Sequence, residues 1–370
     1  MTHFAQDDER ALIAVFLRGA ADGLALVPPV GDDDYHRARP RIAISEREGH
    51  KLDGFFALNP ALAELQPLFA EGLLSIVHAC GSDDDTRSHF EAQDLMEHGG
   101  TSVAGGWIGR WLRDAGGNGP LSALAFGAQL PESLRAAPSA TALQDLEELR
   151  PSDDGAQLRA SLAELYRGDE LLGASAIAAL SAAERIGEIA RASYTPEHGA
   201  QYAAASDGEP AREFGAGLAR IAQLVKARVG VRAATIDLEG WDSHFVQETT
   251  IASKLRALAL GLSAFARDLG PRLATTSVVV MTEFGRRVGE NGSLGTDHGR
   301  GGVFFVLGGG TSGGVHCRWP GLGEGSLIGP GDLAVVHDYR DALAAVLARH
   351  GAGERLAQIF PARVCTSLPV

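Results

Sequence analysis

Apolar residues along the chain fall into two kinds of pattern. Short continuous runs recur at Ala11–Leu17, Leu73–Ala79, Ala233–Leu238, Thr275–Met281 and Gly302–Leu307. Each contains β-branched residues and is too short for an independent helix, so each predicts a buried strand. Helical spacing occupies much of the remainder: Pro60–Gly72, Gly215–Arg228, about Gln247–Leu269 and Tyr339–His350. In the first of these, Leu62, Leu65, Leu68 and Phe69 share a face, and Pro67 predicts a kink or an early break. Ser88-His-Phe-Glu91 has the spacing of a capping box and opens another helix after the polar loop 81–88. The Asp-, Arg- and Pro-rich segment Gly31–Gly54 reads as irregular. From about 116 to 204 the chain carries Ala/Leu/Glu tracts such as Ser175–Arg191. That stretch predicts a helical insertion, lid or oligomer surface. Strands alternating with helices predict an α/β fold with a central, mostly parallel sheet between helices. A GxGxxG string, Gly308–Gly313, follows the last of these runs, but no helical pattern comes after it, so it reads as a loop.

Charge narrows the range of partners. Lys and Arg total 33 against 47 Asp and Glu, a formal charge of −14. Only Lys51, Lys226 and Lys254 are lysines, and no basic run exists. A nucleic-acid or anionic-membrane surface is therefore not expected. Cys80, Cys317 and Cys365 are far apart and form neither a disulfide framework nor a thiolate metal pattern. No stretch approaches the ~18 apolar residues of a membrane span. The polar, acidic start lacks the charge of a signal peptide. The chain as written is expected to be cytoplasmic, or periplasmic if an export leader is missing.

In a parallel sheet ligands gather beyond the carboxyl ends of the strands, so the residues just after each apolar run carry the information. Asp22, after the first run, reads as an oxygen ligand for a divalent ion or as an Asp-Gly turn. Ser88 sits at a helix start, where free N–H groups stabilise a developing anion. It reads as a nucleophile toward phosphorus or sulfur, with Arg87 holding ester oxygens, or as the cap paired with Glu91. Asp242 and His244 share a face in extended chain and suit a divalent metal such as zinc. Alternatively, Asp242 caps the long helix with His244 in its first turn. Glu283 follows the Thr275–Met281 run, and Asp297-His298 lies in a glycine-rich loop before the next strand, so these add two carboxylates and an imidazole. Neither a Walker-type phosphate loop nor an HExxH helix is present.

At Val15–Leu24, Asp34-Tyr35, Ala38–Pro40, Arg87–Asp94, Gly240–His244, Thr282–Arg286, Thr296–Gly299 and Asp338–Arg340 the sequence resembles the bacterial family called domain of unknown function 1501. That family resembles the alkaline phosphatase and sulfatase superfamily, which implies one alkaline phosphatase-like domain over residues 1–370. The resemblance matches Asp22 to the first-strand ligand, Ser88 to the nucleophile and His298 to the late histidine ligand. Asp242 and His244 resemble the Asp-x-x-x-His pair with shorter spacing, and Glu283-Phe284 stands where Asp-His is common. A one-metal, an altered or a lapsed site follows from those departures. Members often carry twin-arginine leaders, and none is read here. The expectation is a metal-dependent hydrolase of small-molecule or polymer-borne phosphate or sulfate esters; the alternative is a non-catalytic member that binds a partner through the cleft or the insertion.

Overall fold

The computed structural model describes residues 10–370 apart from 101, 116–118, 120, 145–154, 170 and 362. The strands are β1 (Ala11–Arg18), β2 (His50–Lys51), β3 (Ala57–Leu58), β4 (Leu74–Gly81), β5 (Ala123–Phe126), β6 (Thr141–Leu143), β7 (Ala233–Glu239), β8 (Thr276–Met281), β9 (Gly302–Gly308), β10 (Gly314–His316) and β11 (His337–Asp338). The helices are α1 (Gly23–Leu26), α2 (Asp33–Ala38), α3 (Gln66–Ala70), α4 (His89–Glu97), α5 (Trp107–Ala115), α6 (Gly155–Tyr166), α7 (Gly173–Arg191), α8 (Glu209–Lys226), α9 (Gln247–Leu269), α10 (Tyr339–Arg349) and α11 (Leu356–Ile359).

Nine strands form one sheet in the order β10-β4-β9-β8-β1-β7-β5-β6, with β11 also pairing β4. All its pairings are parallel except those of β9, which runs antiparallel to both β4 and β8. The protein is thus α/β, with a mixed, mostly parallel central sheet. Period-2 geometry divides each apolar run between two layers. Ile13, Val15 and Leu17 pack with Leu258, Leu262 and Phe265 of α9 and Leu218 of α8. Leu12, Ala14 and Phe16 face Trp107 and Trp111 of α5 and Leu343 and Val346 of α10. Burial on both faces is why these strands read as continuous apolar runs rather than alternating ones.

Several elements differ from the sequence expectation for local reasons. Pro60–Leu65 is a 3₁₀ segment, and Pro67 lies in the first turn of α3, where its missing N–H costs no hydrogen bond. The helix expected from Gly215 begins at Glu209, with Pro210 in its first turn. Within Gly31–Gly54, Asp32 accepts from the Asp34 N–H and caps α2. The 116–204 stretch holds α6 and α7, but also β5 and β6, which extend the sheet beyond β7. Those two strands are too short to announce themselves by periodicity. Part of the stretch, 116–118, 120, 145–154 and 170, lies outside the described residues. In the Gly308–Gly313 string Gly308 ends β9, and the rest is a loop leading into β10. Among the described residues no helix is long and apolar enough to cross a membrane.

Topology fixes where chemistry can gather. The carboxyl ends of β1, β4, β7 and β8 lie along one edge of the sheet. Because β9 is antiparallel, the loop that precedes it reaches the same edge. His89, Asp242, Glu283 and His298 all belong to segments at that edge.

Candidate metal centre

Three imidazoles and a carboxylate meet beyond this edge. One ligand atom each from His89, Asp242 and His298 lies within 4.8 Å of the other two. His244 joins them: its Nε2 is 3.0 Å from His298 Nε2 and 3.1 Å from Asp242 Oδ1. Asp242 Oδ1 is 3.5 Å from His298 Nε2, and Oδ2 is 3.7 Å from His89 Nε2.

What stands behind each ring decides which nitrogen faces the cluster. His298 Nδ1 is 3.0 Å from the Arg87 carbonyl oxygen. A carbonyl only accepts, so Nδ1 carries the proton and Nε2 presents a lone pair. His89 Nδ1 lies 2.8 Å from Glu283 Oε1, and His244 Nδ1 3.4 Å from Asp297 Oδ1. His89 and His298 therefore aim Nε2 at one space beside Asp242, and His244 Nε2 borders it next to His298 and Asp242. His89 Nε2 is buried and has no hydrogen-bond partner among the described residues. It lies beside the His298 nitrogen and the Asp242 carboxylate, and two Nε2 lone pairs facing one space are unfavourable unless a proton or a cation lies between them. Burial, with Arg286 and His89 nearby, lowers the His298 pKa and keeps that ring in its neutral, ligating form. Three imidazoles and a carboxylate are donors suited to zinc or a similar divalent ion.

The surroundings hold this geometry. Burial raises the Asp242 pKa, but the hydrogen bond and charge of Arg286 outweigh it and keep the group ionised. Arg286 is buried and donates to Asp242 at 2.7 Å, and also to the carbonyls of Gly19, Ala20 and Thr296. One guanidinium thus ties together the loops after β1, after β7 and before β9. Phe284 stacks on His89 at 5.1 Å between centroids and lies 5.0 Å from His298. Gly295 lets the second loop press against the first, since a Cβ there would lie 2.2 Å from the His244 carbonyl oxygen.

Residues 84–344 match the family described as protein of unknown function (DUF1501). The chain belongs to that family. The matched span contains His89, Asp242, His244 and His298 and the side chains that support them, Arg286, Glu283, Phe284 and Asp297. No curated relative matches the chain.

The structure distributes the residues singled out from the sequence over four places. Asp242, His244 and His298 converge. Glu283 and Asp297 stand one layer back, behind His89 and His244. Asp22 is elsewhere: it caps α1 through the Leu24 N–H, accepts two hydrogen bonds from buried Arg39 and receives Gln247 Nε2. Asp242 does not cap α9, which starts at Gln247 with Val246 as its N-cap. Ser88 is the N-cap residue of α4, yet its side chain makes no capping hydrogen bond, and Glu91 instead accepts from the Thr86 hydroxyl. Ser88 is exposed between Arg87 and His89. The Arg87 guanidinium is engaged by buried Asp332 and the His298 carbonyl, so it secures the loop that carries His298.

His89 is the member that the sequence reading passed over. Its signal was its place, at a helix start just past a strand's carboxyl end, where the neighbouring serine drew the functional assignment. A second grouping, Asp94, His98 and Glu132, is less suited to an ion. There, His98 faces Asp94 with Nδ1 at 3.4 Å and Glu132 with Nε2 at 3.5 Å, so its two nitrogens serve different partners.

Proposed function

We propose that the protein is a metal-dependent hydrolase of phosphate or sulfate esters, its metal held by His89, Asp242, His244 and His298. The observation that carries this reading is the convergence of His89, His298 and the Asp242 carboxylate, with His244 Nε2 beside the latter two and the buried His89 Nε2 unpartnered. A divalent ion such as zinc in that position would supply Lewis-acid chemistry toward an ester oxygen and favour ionisation of a nearby hydroxyl. Ser88 then serves as the nucleophile. Its hydroxyl is free of capping work and stands at the start of α4, where N–H groups favour negative charge. Attack by Ser88 Oγ forms a bond to phosphorus or sulfur as the ester oxygen leaves, and water subsequently cleaves the serine ester. Arg286 keeps Asp242 ionised, while the Arg87 carbonyl, Asp297 and Glu283 hold the three rings in the ligating orientation.

The family's resemblance to the alkaline phosphatase and sulfatase superfamily supports the same assignment of fold and chemistry. A cleft of about 1170 Å³ opens next to α4, lined by Phe90, Gln93, Arg18, Asp237 and Glu239, and would receive the organic part of a small or polymer-borne ester. The test is elemental analysis followed by assay of metal-replete protein on aryl phosphate monoesters, diesters and aryl sulfates. Turnover of at least one class is expected, with loss on chelation and recovery on adding zinc or manganese. Bound metal with no turnover on the whole panel would replace the hydrolase reading with that of a protein that binds a partner at the same cleft.

A further inference from the structure

Two carboxylates back the metal-centre histidines, and their settings differ. The Glu283 side chain is fully buried. Its Oε1 accepts from the Gly19 N–H at 2.9 Å, Gln93 Nε2 at 2.9 Å and His89 Nδ1 at 2.8 Å, and its Oε2 lies 2.9 Å from the Thr282 hydroxyl. Asp297 is 44% exposed and meets His244 Nδ1, Arg287 and Asn291 only at 3.4 Å. A contact of that length beside water is weak, whereas short hydrogen bonds to a buried carboxylate are strong.

Glu283 was a candidate ligand in the sequence, and its contacts argue for another role. Turning the carboxylate toward the cluster would strip the N–H donors of the loop after β1 and of α4 from Oε1 and the Thr282 hydroxyl at the end of β8 from Oε2. Held where it is, the carboxylate fixes the proton on His89 Nδ1 and leaves Nε2 facing Asp242 and His298. We infer that Glu283 is the positioning residue of the metal centre, setting its affinity through His89, and that Asp297 has only a minor share. This inference rests on the metal-binding reading given above.

Cobalt(II) titration of the full chain, followed by its visible absorption bands, tests it. Glu283→Gln keeps the shape of the side chain and removes its charge. It is expected to bind the same number of cobalt ions with the same bands at saturation, with a Kd raised about 10- to 100-fold. Asp297→Asn should stay within about fivefold of the parent, as for an exposed pair. His89→Ala should alter the bands themselves, because a ligand is lost. Gln93→Ala, which removes one donor to Glu283 from the face of α4, should shift the Kd in the same direction by less and keeps the test usable if Glu283→Gln fails to fold. Melting of the metal-free variants separates affinity from stability. Altered bands at saturation in Glu283→Gln would make Glu283 a ligand, and an unchanged Kd in Glu283→Gln, or in Gln93→Ala where that variant stands in, would remove its positioning role; either result overturns the inference while leaving the metal centre standing. A parent chain that takes up neither cobalt nor zinc overturns both.

Discussion

Asp22 and Asp242 both follow a parallel strand, yet their surroundings give them different work. Asp22 is 1% exposed, and Arg39, its partner at 2.6 Å, is fully buried. Every oxygen of Asp22 is occupied by Arg39, Gln247 or the Leu24 N–H. Asp242 is 49% exposed and faces three imidazoles. Removing one member of a buried ion pair leaves an uncompensated charge, at a cost of about 3–5 kcal/mol. Asp22→Ala is therefore expected to lower unfolding stability in denaturant by that order while bound-metal stoichiometry stays unchanged. A variant that keeps its stability but loses metal would make Asp22 a ligand instead. Both Asp residues could be picked from the sequence by position. Their division of labour could not, because Arg39 and Arg286 reach them from other segments of the chain.

At the scale of elements, the start of α4 combines two functions that its sequence merges. The Thr86 hydroxyl accepts from the Ser88 N–H at 3.3 Å and donates to Glu91 at 2.8 Å, so this threonine organises the first turn. Ser88→Ala should then change stability by no more than about 0.5 kcal/mol, the range of an ordinary surface substitution. Thr86→Ala should cost more, toward the ~0.5–2 kcal/mol of a lost cap. Hydrolysis separates the two residues the other way. Ser88→Ala, Ser88→Gly and Ser88→Asn should remain folded and metal-bound yet lose turnover by orders of magnitude. Parent-like turnover by the Asn variant would remove Ser88 as the nucleophile. Strands β1, β4, β7, β8 and β9 and helices α9 and α10 were legible because long apolar runs and clear helical periodicity mark them. β5 and β6 were not, because three or four residues contain too little pattern and their strand character comes from pairing with β7 and with each other.

The whole molecule adds a pH dependence that no single loop predicts. His78 lies inside the sheet: its ring faces the Val27 carbonyl at 2.9 Å and accepts from the Ala79 N–H at 2.8 Å. Burial lowers its pKa to about 4, and burial with nearby arginines lowers that of His350 to about 3. Both rings are neutral in the folded state, whereas the unfolded chain protonates them near the ordinary value of about 6.5. The unfolded state thus binds more protons as pH falls below that value, and stability is lost progressively toward pH 4. For His78 the effect is about 3 kcal/mol at roughly 1.4 kcal/mol per pH unit. The melting temperature of metal-free protein should fall clearly between pH 7 and 4.5, and less in His350→Gln. A flat profile over that range would show that both rings are hydrated or already protonated.

The sequence by itself determined the α/β class, the strands buried on both faces and the edge at which chemistry gathers. Each of these follows from local apolar pattern and from the rule that parallel strands present their carboxyl ends together. It also marked Asp242, His244 and His298, because each stands directly beyond or before an apolar run. Only the tertiary structure decided that His89 joins them, that Glu283 and Asp297 stand behind the rings and that Asp22 is consumed by Arg39. Those assignments depend on which nitrogen or oxygen faces which space. That is set by contacts between segments distant in the chain, to which local periodicity is blind.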